Sequence, residues 1–209
     1  MSYIFSLLFS NGANGYTTEY YHAYKQLARF GISVYAWDYP GYKLSSGSPN
    51  YASVMEAGRA VLHSVAAHST KQPEDVILMG FSLGGAVSLT LAQEVNSKAL
   101  VLVNSLDSLQ RLLGDCCLLS GWATGLHFAT NHFDASGSLS QFRGCLFQYA
   151  AENDVIVYFK RQRKMFYDFA DHKRKNCSVF ARGEGLGHMD WRNDVFFDGF
   201  HLYLQKLSL

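Results

Sequence analysis

The sequence predicts an α/β fold, a doubly wound and mostly parallel sheet of about six strands. Three observations lead there. Six short apolar segments recur along the chain, stretches with helical spacing separate several of them, and turn-forming residues mark the joints. Alternation of strand and helix implies right-handed crossovers and therefore parallel pairing. With 209 residues and 48% hydrophobic content, residues 1–209 suit a single domain with a sizeable core.

Taken in order, Tyr3 to Phe9 is apolar and aromatic and ends at the turn Ser10-Asn11-Gly12. It lacks the basic flank of a leader and reads as a strand buried on both faces. Glu19 to Phe30 has helical spacing, and Ile32 to Trp37 repeats the strand character. After the Ser/Gly/Pro turn Ser45 to Asn50 comes the helical stretch Tyr51 to Ala67, then the strand Val76 to Phe81 and the helix Gly84 to Val95. The strands Ala99 to Val103, Cys145 to Ala150 and Ser178 to Ala181 complete the sheet. Residues 104–143 are too long for a simple connection. They read either as an ordinary helix with a surface loop or as an insert partly covering a pocket. Apolar residues such as Leu112, Leu119, Trp122 and Phe128 fit both readings.

A net charge of +1 and 17% charged residues give neither the basic field of a nucleic-acid binder nor an acidic tail. Partners must therefore be read from a site, and the motifs below lead to a small-molecule or acylated substrate. No apolar run approaches the roughly 18 residues of a membrane-spanning helix. Cys116, Cys117, Cys145 and Cys177 have neither zinc-site spacing nor the density of a disulfide scaffold. They fit a reducing, cytoplasmic compartment, and no spacing signals a metal or cofactor.

The most informative segment is Val76-Ile77-Leu78-Met79-Gly80-Phe81-Ser82-Leu83-Gly84-Gly85, an apolar strand entering G-x-S-x-G and then a helical pattern. Strand, sharp turn and helix form the context in which this motif exposes a nucleophilic serine. Small residues at Gly80 and Gly84 let strand and helix approach closely. The amide of Leu83, at the positive end of the following helix, can stabilise an oxyanion. The plainer reading makes Ser82 a helix cap in a glycine-rich turn.

A serine hydroxyl needs a general base, and the base needs an acid that fixes its tautomer. In this strand-turn-helix setting the chain order is Ser, acid, His. His22, His63, His68, His172 and His201 fall in helical stretches, and His127 and His132 precede the expected acid. His188 remains, in the loop Arg182-Gly183-Glu184-Gly185-Leu186-Gly187-His188. The acid should follow the strand that begins at Cys145. Asp154 is preferred, with Glu152 as a second carboxylate in the same loop and a one-residue slip placing Asn153 at the position. Asp190 and Asp194 read as helix N-terminal charges.

Nearly the whole chain resembles the α/β-hydrolase family, in particular small serine hydrolases of the bud-emergence and depalmitoylating, serine aminopeptidase-like type. Phe9-Ser10-Asn11-Gly12-Ala13 resembles the loop that supplies the second oxyanion amide, which implies Ala13 as the donor. Trp37-Asp38-Tyr39-Pro40-Gly41-Tyr42-Lys43-Leu44-Ser45-Ser46-Gly47 is similar to the family's Asp-Tyr-x-Gly-Tyr-Gly-x-Ser-x-Gly turn, Phe133-Asp134 to the lead-in of the acid-bearing strand, and Ala151 to Val157 to its Gly-x-x-Asp-x-Ile-Val. Gly187-His188-Met189-Asp190 resembles the Gly-His-x-Asp ending.

The resemblance implies hydrolysis of an ester, thioester or amide through Ser82, His188 and Asp154, without a cofactor. Against it stand Asn11 for the usual His, Lys43 for a Gly, and the absence of the first two family strands. That absence leaves Ile32 to Trp37 as a sheet edge open to self-association. Two other readings are a nonenzymatic relative that binds a ligand or partner and a product lacking its first strands.

Overall fold

A computed structural model of the chain describes residues 5–106, 139–170 and 176–207. Six strands, β1 (Phe5–Ser10), β2 (Ile32–Trp37), β3 (Ile77–Phe81), β4 (Ala99–Val103), β5 (Cys145–Ala151) and β6 (Val179–Gly183), form one sheet in the order β2-β1-β3-β4-β5-β6. Every pairing is parallel. The described helices are α1 (Tyr21–Ala28), α2 (Tyr51–His68), α3 (Leu83–Glu94), α4 (Phe159–Ala170) and α5 (Asp194–Leu207). None is long and apolar enough to cross a membrane. The expected doubly wound α/β sheet is the observed one.

Successive side chains of a strand point to opposite faces, so the buried strands feed two cores. Leu8, Leu78, Leu100 and Leu146 pack with Val54 and Leu62 of α2, Val87 and Leu91 of α3, and Phe166 of α4. Leu7, Phe9, Met79, Val101 and Phe147 pack with Leu27 of α1 and with Phe196, Phe200 and Tyr203 of α5. Complete burial of β3 and β4 explains their unbroken apolar character, since helices cover both faces.

Element ends follow local chemistry. α2 starts at Asn50, whose side chain accepts from Ser53 N while Ser53 Oγ accepts from Asn50 N, a reciprocal cap. The expected helix over Glu19 to Phe30 is divided into a 3-10 turn at Thr17–Tyr20 followed by α1, and Gly31, at φ 75°, closes it. α4 was given no bounds in the sequence, where only His172 marked a helical stretch there, because its surface is so polar; its buried residues Gln162, Met165, Phe166, Phe169 and Ala170 nevertheless keep helical spacing. Of the insert at 104–143, only its two ends are described, so whether it covers a pocket falls outside the described residues, as does His172.

The cysteines, too sparse in the sequence to suggest a disulfide scaffold, do include a pair. Cys145 and Cys177 form a disulfide with Cα atoms 5.4 Å apart. Parallel pairing of Phe147 with Val179 brings the lead-in residues two positions earlier side by side, a register that the 32-residue separation hides. A disulfide also runs against the reducing compartment read from cysteine sparsity. For a separation of 32 residues, chain entropy predicts that Cys177→Ser lowers the unfolding free energy by about 3–4 kcal/mol. Denaturant unfolding with and without reductant measures this, and identical midpoints would show that the thiols do not pair.

Candidate active site

β3 delivers Ser82 to the C-terminal edge of the sheet, and α3 begins one residue later. Strand and helix cross so closely that a Cβ on Gly80 would lie 2.0 Å from Gly84 O, and one on Gly84 would lie 2.1 Å from Ser10 O. Only glycine fits at either position. Ser82 takes φ 53° and ψ −118°, a conformation that costs a β-carbon residue on the order of 1–3 kcal/mol. It is held there by Ser82 N donating to Val103 O at 2.9 Å and Ser82 O accepting from Gly85 N at 3.0 Å. Its side chain makes no capping hydrogen bond, so the plainer cap reading of Ser82 is not what is observed.

Ser82 and His188 line one pocket of about 130 Å³, together with Gly12, Ala13, Tyr20 and Met189. His188 Nδ1 lies 2.7 Å from Asp154 Oδ2. The other carboxylate oxygen, Asp154 Oδ1, accepts from the amides of Ile156 and Val157 at 2.9 and 2.8 Å. With the carboxylate ionised, Nδ1 carries the proton and Nε2 keeps its lone pair. The Phe81 ring backs the imidazole at 4.9 Å between centroids.

The alternative acids are placed elsewhere. Glu152 Oε1 accepts from Arg182 Nη2 at 2.5 Å, and this partner holds the carboxyl below its usual range. Asn153 points to solvent. Asp190 Oδ2 accepts from Gly187 N at 2.9 Å and closes the turn before His188, whereas Asp194 lies in the first turn of α5. Asp190 is therefore a turn residue rather than a helix-terminal charge.

Of the two expected amide donors, Ala13 lines the pocket and Leu83 opens α3, where the first N–H groups have no helical acceptor. The loop carrying Ala13 is set by residues whose hydroxyls were not read from sequence. Tyr39 Oη donates to Asn11 O at 2.6 Å and Tyr42 Oη to Ala13 O. These carbonyls flank the Gly12-Ala13 peptide, so its N–H direction is fixed from both sides. Burial raises the Tyr39 phenol well above its ordinary pKa and the Tyr42 phenol to about 12, which keeps both as donors at neutral pH. Asn11, at the position where the resemblance expects His, donates to Trp37 O at 2.8 Å and to Asp38 Oδ1 at 3.3 Å, joining the loops after β1 and β2. The aromatic-rich stretch Trp37 to Tyr42 was the available signal, but sequence alone does not say which hydroxyls turn inward.

The crossing makes a strong prediction. Gly84→Ala should unfold the chain or lower its stability by more than about 4 kcal/mol, because the obstructing atoms are backbone and cannot give way. A soluble variant with an unchanged thermal midpoint would contradict the geometry.

Residues 5–170 match the family described as serine aminopeptidase, S33. The chain is 26% identical over 158 residues to an uncharacterized membrane protein of Saccharomyces cerevisiae, covering 74% of this chain and 55% of that protein. It is 30% identical over 111 residues to human alpha/beta hydrolase domain-containing protein 17B, covering 52% of this chain and 38% of the relative. It thus spans about half or less of these relatives. An esterase of Pyrococcus furiosus superposes with a TM-score of 0.79 at 13% identity, covering 98% of this chain and 82% of that one. The family match extends from β1 through α4 and includes the strands that lead into Ser82 and Asp154, so the chain belongs to the serine aminopeptidase, S33 family of α/β-hydrolases.

Proposed function

We propose that the chain is a serine hydrolase that cleaves an ester, thioester or amide through an acyl-enzyme intermediate. The observation that carries this reading is the 2.7 Å contact of His188 Nδ1 with Asp154 Oδ2 beside a pocket that Ser82 also lines. His188 Nε2 takes the Ser82 proton as Ser82 Oγ attacks the acyl carbon, and the amides of Ala13 and Leu83 hold the oxyanion. The protonated imidazole then passes its proton to the leaving group. Water repeats the sequence on the acyl-enzyme, releasing the acid and restoring Ser82. Asp154, carrying two backbone donors on its other oxygen, orients His188 and stabilises its cationic form.

Family membership and the likeness to an esterase fold support hydrolysis; the acyl group is set by pocket walls and is not assigned by the fold. Esterase, thioesterase and peptidase-like activities remain in competition as substrate classes. A ligand-binding relative without chemistry is the rival class. A p-nitrophenyl ester and a fluorophosphonate probe separate enzyme from binder.

Ser82→Ala should abolish labelling and lower ester turnover at least ~10³-fold while leaving the thermal midpoint nearly unchanged. Retained turnover would remove the central assignment. Asp154→Asn should reduce kcat far more than Glu152→Gln, whose carboxylate serves Arg182; the reverse ranking would move the acid to Glu152.

Two further readings concern the setting. β2 is an edge of the sheet, and its Val34, Tyr35 and Trp37 favour strand pairing. Self-association through this edge, or cover by an additional segment, follows. Sedimentation at several concentrations tests it, with a stable monomer and strongly protected β2 amides as the contrary result. A cytoplasmic setting exposes the Cys145–Cys177 pair to a reducing thiol pool, so free thiols at these positions in cells fit that reading and a pair found oxidised counts against it.

A further inference from the structure

Asn104 leaves β4 with φ 43° and is completely buried. Asparagine tolerates this left-handed conformation better than most residues. Its backbone N donates to Tyr149 O at 3.0 Å. Its side chain spends both ends on other loops: Nδ2 donates to His188 O at 2.7 Å, and Oδ1 accepts from Ala151 N at 2.8 Å. The neighbours of Asn104 enclose Ser82. Val103 O accepts from Ser82 N at 2.9 Å, and Leu106 N reaches Ser82 O at 3.5 Å.

A single residue is thus bonded to the backbone of the histidine and to the root of the acid loop, within a segment hydrogen-bonded to the serine. The acid loop starts where Asn104 grips it, because Ala151 O accepts from Asp154 N at 3.4 Å. The three groups come from separate parts of the chain, and their relative placement depends on what ties those parts together. Misplacement of a reacting group by about 1 Å can cost on the order of 10²-fold in rate.

We infer that Asn104 is a positioning residue for the proposed hydrolysis, fixing the His188 backbone and the Asp154 loop in register with Ser82. The inference rests on the serine-hydrolase reading, and it accounts for a buried amide with both side-chain ends engaged. It gives Asn104 no contact with substrate. Its effect therefore falls on the chemical step, and KM for a small ester should hardly change.

Asn104→Gly accepts the positive φ and removes both side-chain bonds. Asn104→Asp keeps the size and the acceptor toward Ala151 but loses the donor toward His188 O. Tyr203→Phe serves as control. The Tyr203 hydroxyl is buried and bonds Leu100 N at 3.1 Å and Cys145 O at 2.7 Å, at the starts of β4 and β5, away from the pocket.

With p-nitrophenyl acetate, both Asn104 variants should lose 10- to 100-fold in kcat with KM within threefold of the parent. The rate of fluorophosphonate labelling should fall in proportion, while labelling still proceeds to one per chain. Tyr203→Phe should lower the thermal midpoint and keep kcat. The proton NMR signal of His188 Nδ1–H, bonded to Asp154, should shift or broaden in Asn104→Gly and stay in Tyr203→Phe.

Folded Asn104 variants with parental kcat, or losses that track the thermal midpoint as they do in Tyr203→Phe, would overturn the assignment. Failure of both Asn104 variants to fold would overturn it too, by making the residue one of folding. The NMR signal keeps the test separate from the functional reading. If the parent neither labels nor turns over, the serine-hydrolase reading fails by itself. An unchanged His188 signal in Asn104→Gly then sinks the positioning role on its own.

Discussion

The strand-to-helix crossing at Ser82 sets the spacing of everything around it. Backbone of α3 lies where a side chain of β3 would otherwise be, and backbone of β1 lies where a side chain of α3 would be, with Ser10 O 2.1 Å from where a Cβ on Gly84 would sit. This closeness brings the loop after β1, with Ala13, beside the start of α3, with Leu83. It also lifts Ser82 out of the sheet into a backbone conformation with positive φ. Such strain persists only where the surroundings over-determine it. Here the surroundings are the buried strands β3 and β4 and the hydrogen bonds of Val103 and Gly85 to Ser82.

Around this crossing, rigidity is distributed unevenly. The floor beneath His188 is aromatic: Phe81 contacts Trp191 at 6.0 Å between centroids, and Trp191 contacts Phe196 at 5.0 Å. Stacked and edge-on rings resist displacement because their shape leaves few alternative packings. The rim is polar and tied by discrete bonds instead, those of Tyr39, Tyr42, Asn11 and Asp154. Apolar packing holds the elements at their distances, and directed hydrogen bonds set the aim of individual donors and acceptors.

Much of this was legible in the sequence, and the rest was hidden for physical reasons. The strands could be read because burial on both faces forces continuous apolar runs, and β2 and β4 appear at the expected residues. Ser82 could be read because few sequences other than G-x-S-x-G survive such a crossing. Asp154 could be preferred but not separated from Glu152, since a two-residue shift changes which carboxylate faces inward and pattern reading does not resolve it. The Cys145–Cys177 pair was misread because register between strands β5 and β6 is a three-dimensional fact. The inward turn of the Tyr39 and Tyr42 hydroxyls was invisible for the same reason: both residues also serve as apolar bulk, and composition does not reveal which end finds a partner.

The disulfide lies at the opposite end of the strands from the pocket. β5 runs from Cys145 to Ala151, and six steps of about 3.3 Å separate the covalent tie from the root of the acid loop by about 20 Å. Opening that bond leaves the hydrogen bonds around His188 in place while loosening the entry of two strands into the sheet. A more frequently opened sheet edge offers backbone to proteases. In a reducing environment the arrangement of Ser82, Asp154 and His188 would therefore be kept while molecules are lost, so that redox conditions govern the protein's lifetime rather than the geometry of its pocket.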